Sequence, residues 1–189
     1  MNGGGSNPTA HGPGYISLLP SDNTTITGWT VGGPGEGVDW LTTPTYGADT
    51  GIHSVDLQHV YPSSISTTIP TLAGNIYNLS FSAAAVSGYT NTGDVSAGSL
   101  INQAFAPSFS GSFYNQTYTP YSFTFTATGS ATLIMFQATG PNIQYGPVID
   151  SVGVLSVPEP EEWAMMLLGF GMVGYQIKRK QKKAAPAAA

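Results

Sequence analysis

The chain has 189 residues, 8% of them charged and none of them cysteine, and its net charge of −5 conceals a sharp division: all five basic residues lie between Lys178 and Lys183. Up to Val157 the body carries seven acids and no Lys or Arg, so it cannot displace counterions from phosphates, and nucleic acid is excluded as a partner. Without cysteine there are no disulfides, thiolate metal sites or cysteine nucleophiles, and 24 Gly with 14 Pro and few helix formers favour strands and turns.

In chain order, residues 1–14 are too rich in Gly and Pro for a regular element and are expected to be disordered. They also lack the basic start and apolar run of a signal peptide. If the body is exported, as the tail below implies, its signal is expected upstream of residue 1.

From Tyr15 to Ser156 the sequence breaks into short β-like runs between Gly, Pro, Asn and Ser clusters, and no window reads as a helix. The first runs are YISLL, ITGWTV, VDWL, HSVDLQ and SISTTI. In IYNLSFSAA, Tyr77, Leu79, Phe81 and Ala83 alternate with Asn78, Ser80 and Ser82, which predicts one buried and one polar face. Tyr121, Phe123 and Phe125 repeat the pattern. Ile134 and Phe136 are expected inward in ATLIMFQA, and Val148, Val152 and Val154 in VIDSVGVLSV. Ser87–Asn115 is poorly periodic and reads as a long loop with one or two edge strands. About nine short strands with one polar face each predict an all-β fold, a two-sheet sandwich or jelly roll, over 15–156.

The tail, residues 157–189, has a different physics. Trp163–Ile177 is an uncharged run of 15 residues, about 22 Å as a helix at ~1.5 Å per residue, against a hydrocarbon core of ~30 Å. Trp163 at one interface, with Lys178, Arg179 and Lys180 snorkelling at the other, would extend it to a marginal single transmembrane helix. The basic cluster 178–183 then marks the cytoplasmic side and the body faces out. A simple anchor or a buried core helix stands beside this reading.

Pro158-Glu159-Pro160 ahead of an apolar run and a basic terminus, in the form PEPEEWAMMLLGFG, resembles the PEP-CTERM sorting signal. The resemblance implies recognition by an exosortase at the inner membrane of a Gram-negative bacterium, with Pro158, Glu159 and Pro160 as processing determinants and Trp163, Lys178, Arg179 and Lys180 as parts of the signal. After processing, the protein would reside at the cell surface or in the extracellular matrix. The body motifs ITGWTVGGPGEGVDWL, GIHSVDLQ, TLAGNIYNLSFSAA and GPVIDSVGV, in that order, resemble the choice-of-anchor C family, related to plant cell-wall proteins with galactose-binding-like jelly rolls. Related domains open with an Asn-Gly-x-Phe-Glu strand whose Glu joins a structural calcium site. Here Asn2-Gly3-Gly4-Gly5-Ser6 stands in its place.

Nothing marks a catalytic constellation. His11, His53 and His59 have no metal-binding spacing, and no serine sits in a nucleophile elbow. Asp39 and Asp56, flanked by apolar neighbours, are expected to be partly buried in structural roles. Asp150 in the last strand is the one candidate metal ligand, for a weak Ca²⁺ site, with a structural role favoured. No other cofactor is implied. Trp29 and Trp40 read as core, whereas Tyr89, Tyr114, Tyr118 and Tyr145, set among polar loop residues, are candidates for a sugar-stacking platform. The sequence therefore reads as a non-catalytic protein associated with extracellular polysaccharide, neutral or cationic, with a purely structural surface protein or a secreted glycan hydrolase as alternatives.

Overall fold

The alternation of residues 76–84 becomes a nine-residue strand, β7 (Ile76–Ala84), with Leu79, Phe81 and Ala83 in the core, Tyr77 packed at its edge, and the intervening polar residues on the other face. The computed structural model describes residues 9–10, 14–34, 36–86, 91–109, 111–112, 114–141, 144–158 and 160–184. The chain divides into two units, residues 1–156 and 157–189.

The first unit is a two-sheet antiparallel sandwich. One sheet has seven strands in the order β1 (Thr9–Ala10), β2 (Tyr15–Leu18), β4 (Val38–Thr42), β5 (His53–Asp56), β14 (Val148–Ser156), β7 and β12 (Thr119–Thr126). The other has five, in the order β3 (Thr30–Gly32), β6 (Ser64–Pro70), β13 (Ala131–Ala138), β8 (Gly93–Ala97) and β9 (Leu100–Phe105). A small hairpin pairs β10 (Gly111–Ser112) with β11 (Asn115–Gln116).

The core lies between the sheets and is organised by aromatics: Phe136 meets Phe81 edge-on at 4.9 Å, Phe105 meets Phe81 at 5.1 Å, and Tyr121 stacks on Phe81 at 5.3 Å. Such edge and offset arrangements suit the ring quadrupoles. Ile134, Phe136 and Phe125 are inward, and Trp29 and Trp40 are half-buried against this core.

Three expectations need correction. Thr9–Ala10, within the segment expected to be disordered, pairs with Ile16 and Ser17 as β1. The stretch 87–115 is more regular than a loop: β8 is an interior strand between β13 and β9, and only β9 is an edge. On β14, Val148 does not share a face with Val152 and Val154. The register slips between Asp150 and Gly153, Ser151 sits at φ +54, and the bulge turns the later valines to the main core while Val148 packs on the opposite face.

The second unit is a helix, α1 (Pro160–Ala184), 25 residues long. It begins at Pro160, whose missing N–H costs nothing in a first turn. Pro158 precedes it, exposed, and Glu159 lies outside the described residues. Trp163, Lys178, Arg179 and Lys180 are all within the helix. No helix among the described residues is long and apolar enough to cross a membrane. The transmembrane helix expected over 163–177 is therefore corrected: α1 is longer, but its uncharged stretch stops at 15 residues between Glu162 and Lys178, and the added turns carry charge.

Candidate functional site

Directly opposed residues on neighbouring strands share a face, and the ladders of the seven-stranded sheet align two adjacent rows across five strands. Ile16, Trp40, Val55, Ile149 and Ala83 form one row, facing the core. One residue away, Ser17, Asp39, Asp56, Val148 and Ala84 form the other, on the outer face. All five outer residues are buried, Asp39 at 6% and Asp56 at 4% exposure, although no second sheet covers them. The cover comes from the turn carrying Tyr46, from β11 with Gln116, from the 144–147 segment with Tyr145, and from His59 after β5. Between these pieces lies a cleft of about 80 Å³, with Tyr15, Tyr46 and Tyr145 in its walls and Asp39 and Asp56 in its floor.

The floor is a connected polar network. Ser17 Oγ donates to Asp39 Oδ1 at 2.5 Å, His59 Nδ1 lies 3.0 Å from Asp39 Oδ2 and 3.2 Å from Ser17 Oγ, and His59 Nε2 lies 3.1 Å from Glu36 Oε2. Asp56 Oδ1 accepts the backbone N–H groups of Gln58 at 3.0 Å and Gly146 at 2.9 Å. Burial, and then the Asp39 charge beside it, push the Asp56 carboxyl well above its ordinary range, with the two backbone donors pulling the other way. Gly146 is required here, since a Cβ would lie 2.7 Å from Gln58 Cβ and 2.9 Å from Asp56 Oδ1.

The walls are aromatic. Tyr46 meets Tyr15 edge-on at 5.8 Å and Tyr114 at 5.7 Å, and Tyr114 is 57% exposed at the mouth. Burial, followed by the neighbouring tyrosines and Asp39, raises the Tyr46 phenol to about 12. It raises Tyr15 too, with Asp39 next in effect. Tyr15 and Tyr46 are thus neutral donors in this setting. The Tyr145 segment is braced by Asn91, which donates to Tyr145 O at 3.1 Å and accepts the Val86 N–H, and by Gln58 Nε2, which donates to Pro141 O at 2.8 Å.

Of the four tyrosines marked in the sequence, Tyr114 and Tyr145 belong to this region directly. Tyr118 packs under it, its hydroxyl donating to Gly47 O at 2.9 Å, and burial holds its phenol well above the ordinary value. Tyr89 lies outside the described residues. Sequence reasoning missed Tyr15 and the part of His59. Its one usable signal was the aspartates of VDW and SVD, each a single position from a core residue, although the pairing of those two strands was not in view.

Asp150 lies further along the same face. Its Oδ2 accepts the N–H groups of Asp49 at 2.7 Å and Thr50 at 3.1 Å, and its Oδ1 accepts that of Ser151 at 2.5 Å. Ser151 Oγ in turn donates to Asp49 Oδ2 at 2.8 Å. The carboxylate clamps the 49–51 turn onto the bulge of β14. Among the described residues, no three His, Cys, Asp or Glu side chains are grouped to hold a metal ion.

A family model described as "Protein of unknown function (DUF642)" matches residues 6–155. No curated protein matches the chain. Among solved structures, the CBM35 of Paenibacillus barcinonensis superposes with a TM-score of 0.50 at 22% identity, over 69% of this chain and 94% of its own. A cleaved adhesin domain of Lys-gingipain from Porphyromonas gingivalis gives 0.56 at 13% identity, over 76% and 99%. The carbohydrate-binding module TmCBM61, solved with β-1,4-galactotriose, gives 0.52 at 16% identity, over 80% and 100%. At these identities the likeness is one of fold.

Proposed function

The chain belongs to the DUF642 family, and on that premise we propose that it is an exported, non-catalytic protein whose sandwich binds glycans of an extracellular polysaccharide through the tyrosine-walled cleft. The observation that carries this is the gathering of Tyr15, Tyr46 and Tyr145 around one small polar opening, with the exposed Tyr114 leaning on Tyr46. At about 80 Å³ the cleft is small beside the ~300–1,000 Å³ of small-ligand pockets. It suits a hydroxyl or hydroxymethyl group, with the ring lying against the tyrosines. Aromatic faces with polar tips suit such neutral ligands. The carbohydrate-binding modules among the structures of like fold support the same class of ligand. Seven acids without a cation disfavour uronic-acid or phosphorylated polymers. The direct test is a pulldown against neutral and acidic glycans with the wild type and with Tyr114→Ala and Tyr145→Ala. Salt-sensitive binding to acidic polymers that survives both substitutions would defeat the proposal.

One observation favours a second reading, hydrolysis: Asp39 and Asp56 share the cleft. Against it, Asp56 Oδ1 is committed to two backbone donors and Asp39 to Ser17 and His59. Release of reducing sugar by the wild type but not by Asp39→Asn would establish it.

For the tail we retain the exosortase reading, supported by the order PEP motif, apolar run and basic cluster along residues 158–183. On this reading α1 meets the inner membrane before processing and its uncharged run, too short to span unaided, is engaged by the exosortase. The mature surface species then lacks the basic terminus. Mass spectrometry that finds Lys183 on that species would refute it.

A further inference from the structure

The inner row of the sheet also reaches the surface, and there it forms a second opening. Past the core, Ile16, Trp40, Thr42 and His53 line a groove of about 370 Å³, closed on one side by the Thr43-Pro44-Thr45 turn. Trp40 and His53 lie with ring centroids 4.5 Å apart and their planes tilted by 39°. His53 Nδ1 lies 3.2 Å from Leu41 O and 3.1 Å from Thr42 Oγ1, so a neutral ring that donates from Nδ1 keeps the Nε2 lone pair as an acceptor. Among the described residues, no Asp, Glu, Lys or Arg lines the groove.

The turn is built in place, with the Thr42 N–H donating to Gly14 O at 2.6 Å, the Thr43 N–H to Ile52 O at 3.0 Å and the Tyr46 N–H to Thr42 O at 3.2 Å. Gly14, at φ +108, lies so close that a Cβ would fall 2.3 Å from Thr45 Cβ. A preformed wall costs little ordering free energy on binding.

We propose that this groove is a second glycan subsite, for one neutral pyranose unit, distinct from the tyrosine cleft. The volume lies within the range of small-ligand sites, ~300–1,000 Å³, and exceeds that of the cleft. An indole flanked by an imidazole offers a flat apolar face, and the Thr42, Thr43 and Thr45 hydroxyls offer a rim of donors and acceptors, the two surfaces that a pyranose presents in complement. With no charge in the lining, neither an anionic nor an amine-bearing sugar gains a partner there. Tyr15 borders both the groove and the cleft, but the two are lined by opposite faces of the sheet, so each subsite takes its own sugar unit. The assignment rests on the glycan-binding reading and adds a site to it.

The experiment titrates the full chain with β-1,4-galactotriose, cellotriose and trigalacturonate, following tryptophan emission and calorimetric heat. The expected result is a change in emission with a neutral trisaccharide that is lost in Trp40→Phe, together with affinity lower by about fivefold in Trp40→Phe, His53→Ala and Thr42→Val. Melting of each variant by circular dichroism establishes that it is folded, and His53→Ala, which removes no core side chain, serves if Trp40→Phe does not fold. Wild-type affinity in folded Trp40→Phe and His53→Ala, with binding lost in Tyr114→Ala and Tyr145→Ala, overturns the second subsite and leaves the cleft reading standing. Equal affinity for trigalacturonate overturns the neutral specificity, and no binding of any trisaccharide overturns both.

Discussion

Two rows of side chains one residue apart on the same five strands are buried for different reasons. Val55, Ile149 and Ala83 are buried between the sheets, with Ile16 and Trp40 partly buried at the margin, and this burial is the ordinary apolar kind that sets stability. Ser17, Asp39, Asp56, Val148 and Ala84 lie on the other face under turns, loops and the short β11, and the polar members survive burial because each is hydrogen-bonded. A sandwich does not need the second arrangement in order to fold. Three polar side chains and a set of tyrosines held under this cover at the cost of desolvation mark a face on which a ligand is expected, and the inner row, apart from its Ile16–Trp40 margin, marks the scaffold that holds it.

If this division is right, the largest effect comes from the inner side. Phe136, at 0% exposure, touches Phe81 at 4.9 Å and Trp29 at 6.1 Å, and Phe136→Ala should cost about 3–5 kcal/mol. Denaturant unfolding measures this, and a loss below ~1 kcal/mol would mean that the two sheets do not share one tightly packed core. Next is Gly146→Ala, which forces a Cβ against Gln58 and Asp56 on the outer side. It should cost about 1–3 kcal/mol by overpacking and, because Tyr145 is its neighbour, weaken glycan binding more than its stability loss explains. Calorimetric titration of the folded variant separates the two effects.

The outer row also carries a pH signature. The folded Asp56 carboxyl is held above its ordinary value, so between the unfolded value, about 4, and the raised folded value the native chain binds more protons than the unfolded one. Stability is therefore full below about 4 and falls as pH rises through that window. Asp56→Asn removes the titration and keeps an acceptor for Gly146 and Gln58. The variant should gain stability relative to the wild type as pH rises from 4 toward neutrality, read from paired melting curves. Parallel curves would show that the carboxyl is not desolvated.

Much of the core between the sheets was legible in the sequence, because period-two alternation in IYNLSFSAA, YSFTFTA and ATLIMFQA states which residues face it, and the structure places Leu79, Phe81, Phe125, Ile134 and Phe136 there. The outer row was not. Asp39 and Asp56 become neighbours only through the register of β4 on β5, and Tyr15, Tyr46, Tyr114 and Tyr145 meet only through turns separated by up to 130 positions. Local pattern carries neither. The valines of β14 show the same limit at one residue's scale: alternation assumes an unbroken ladder, and a bulge with Ser151 at positive φ reverses the parity that Val148, Val152 and Val154 were expected to share.

The smallest effect on stability should come from Tyr114, and for that reason it tests the division most cleanly. Its ring is 57% exposed and leans on Tyr46 at 5.7 Å, so truncation opens no cavity in either cluster and should change the unfolding free energy by less than about 0.5 kcal/mol. A stacked aromatic face contributes about 0.5–1.5 kcal/mol beyond the area it covers, so Tyr114→Ala should lower affinity for a neutral oligosaccharide about two- to tenfold at unchanged melting temperature. Phe136→Ala should show the converse, a large stability loss with near-normal affinity in whatever fraction remains folded. A Tyr114→Ala chain that binds as the wild type does would place the ligand away from the mouth of the cleft. One that unfolds readily would show that the tyrosine cover is scaffold after all, and the separation between the two rows would fail.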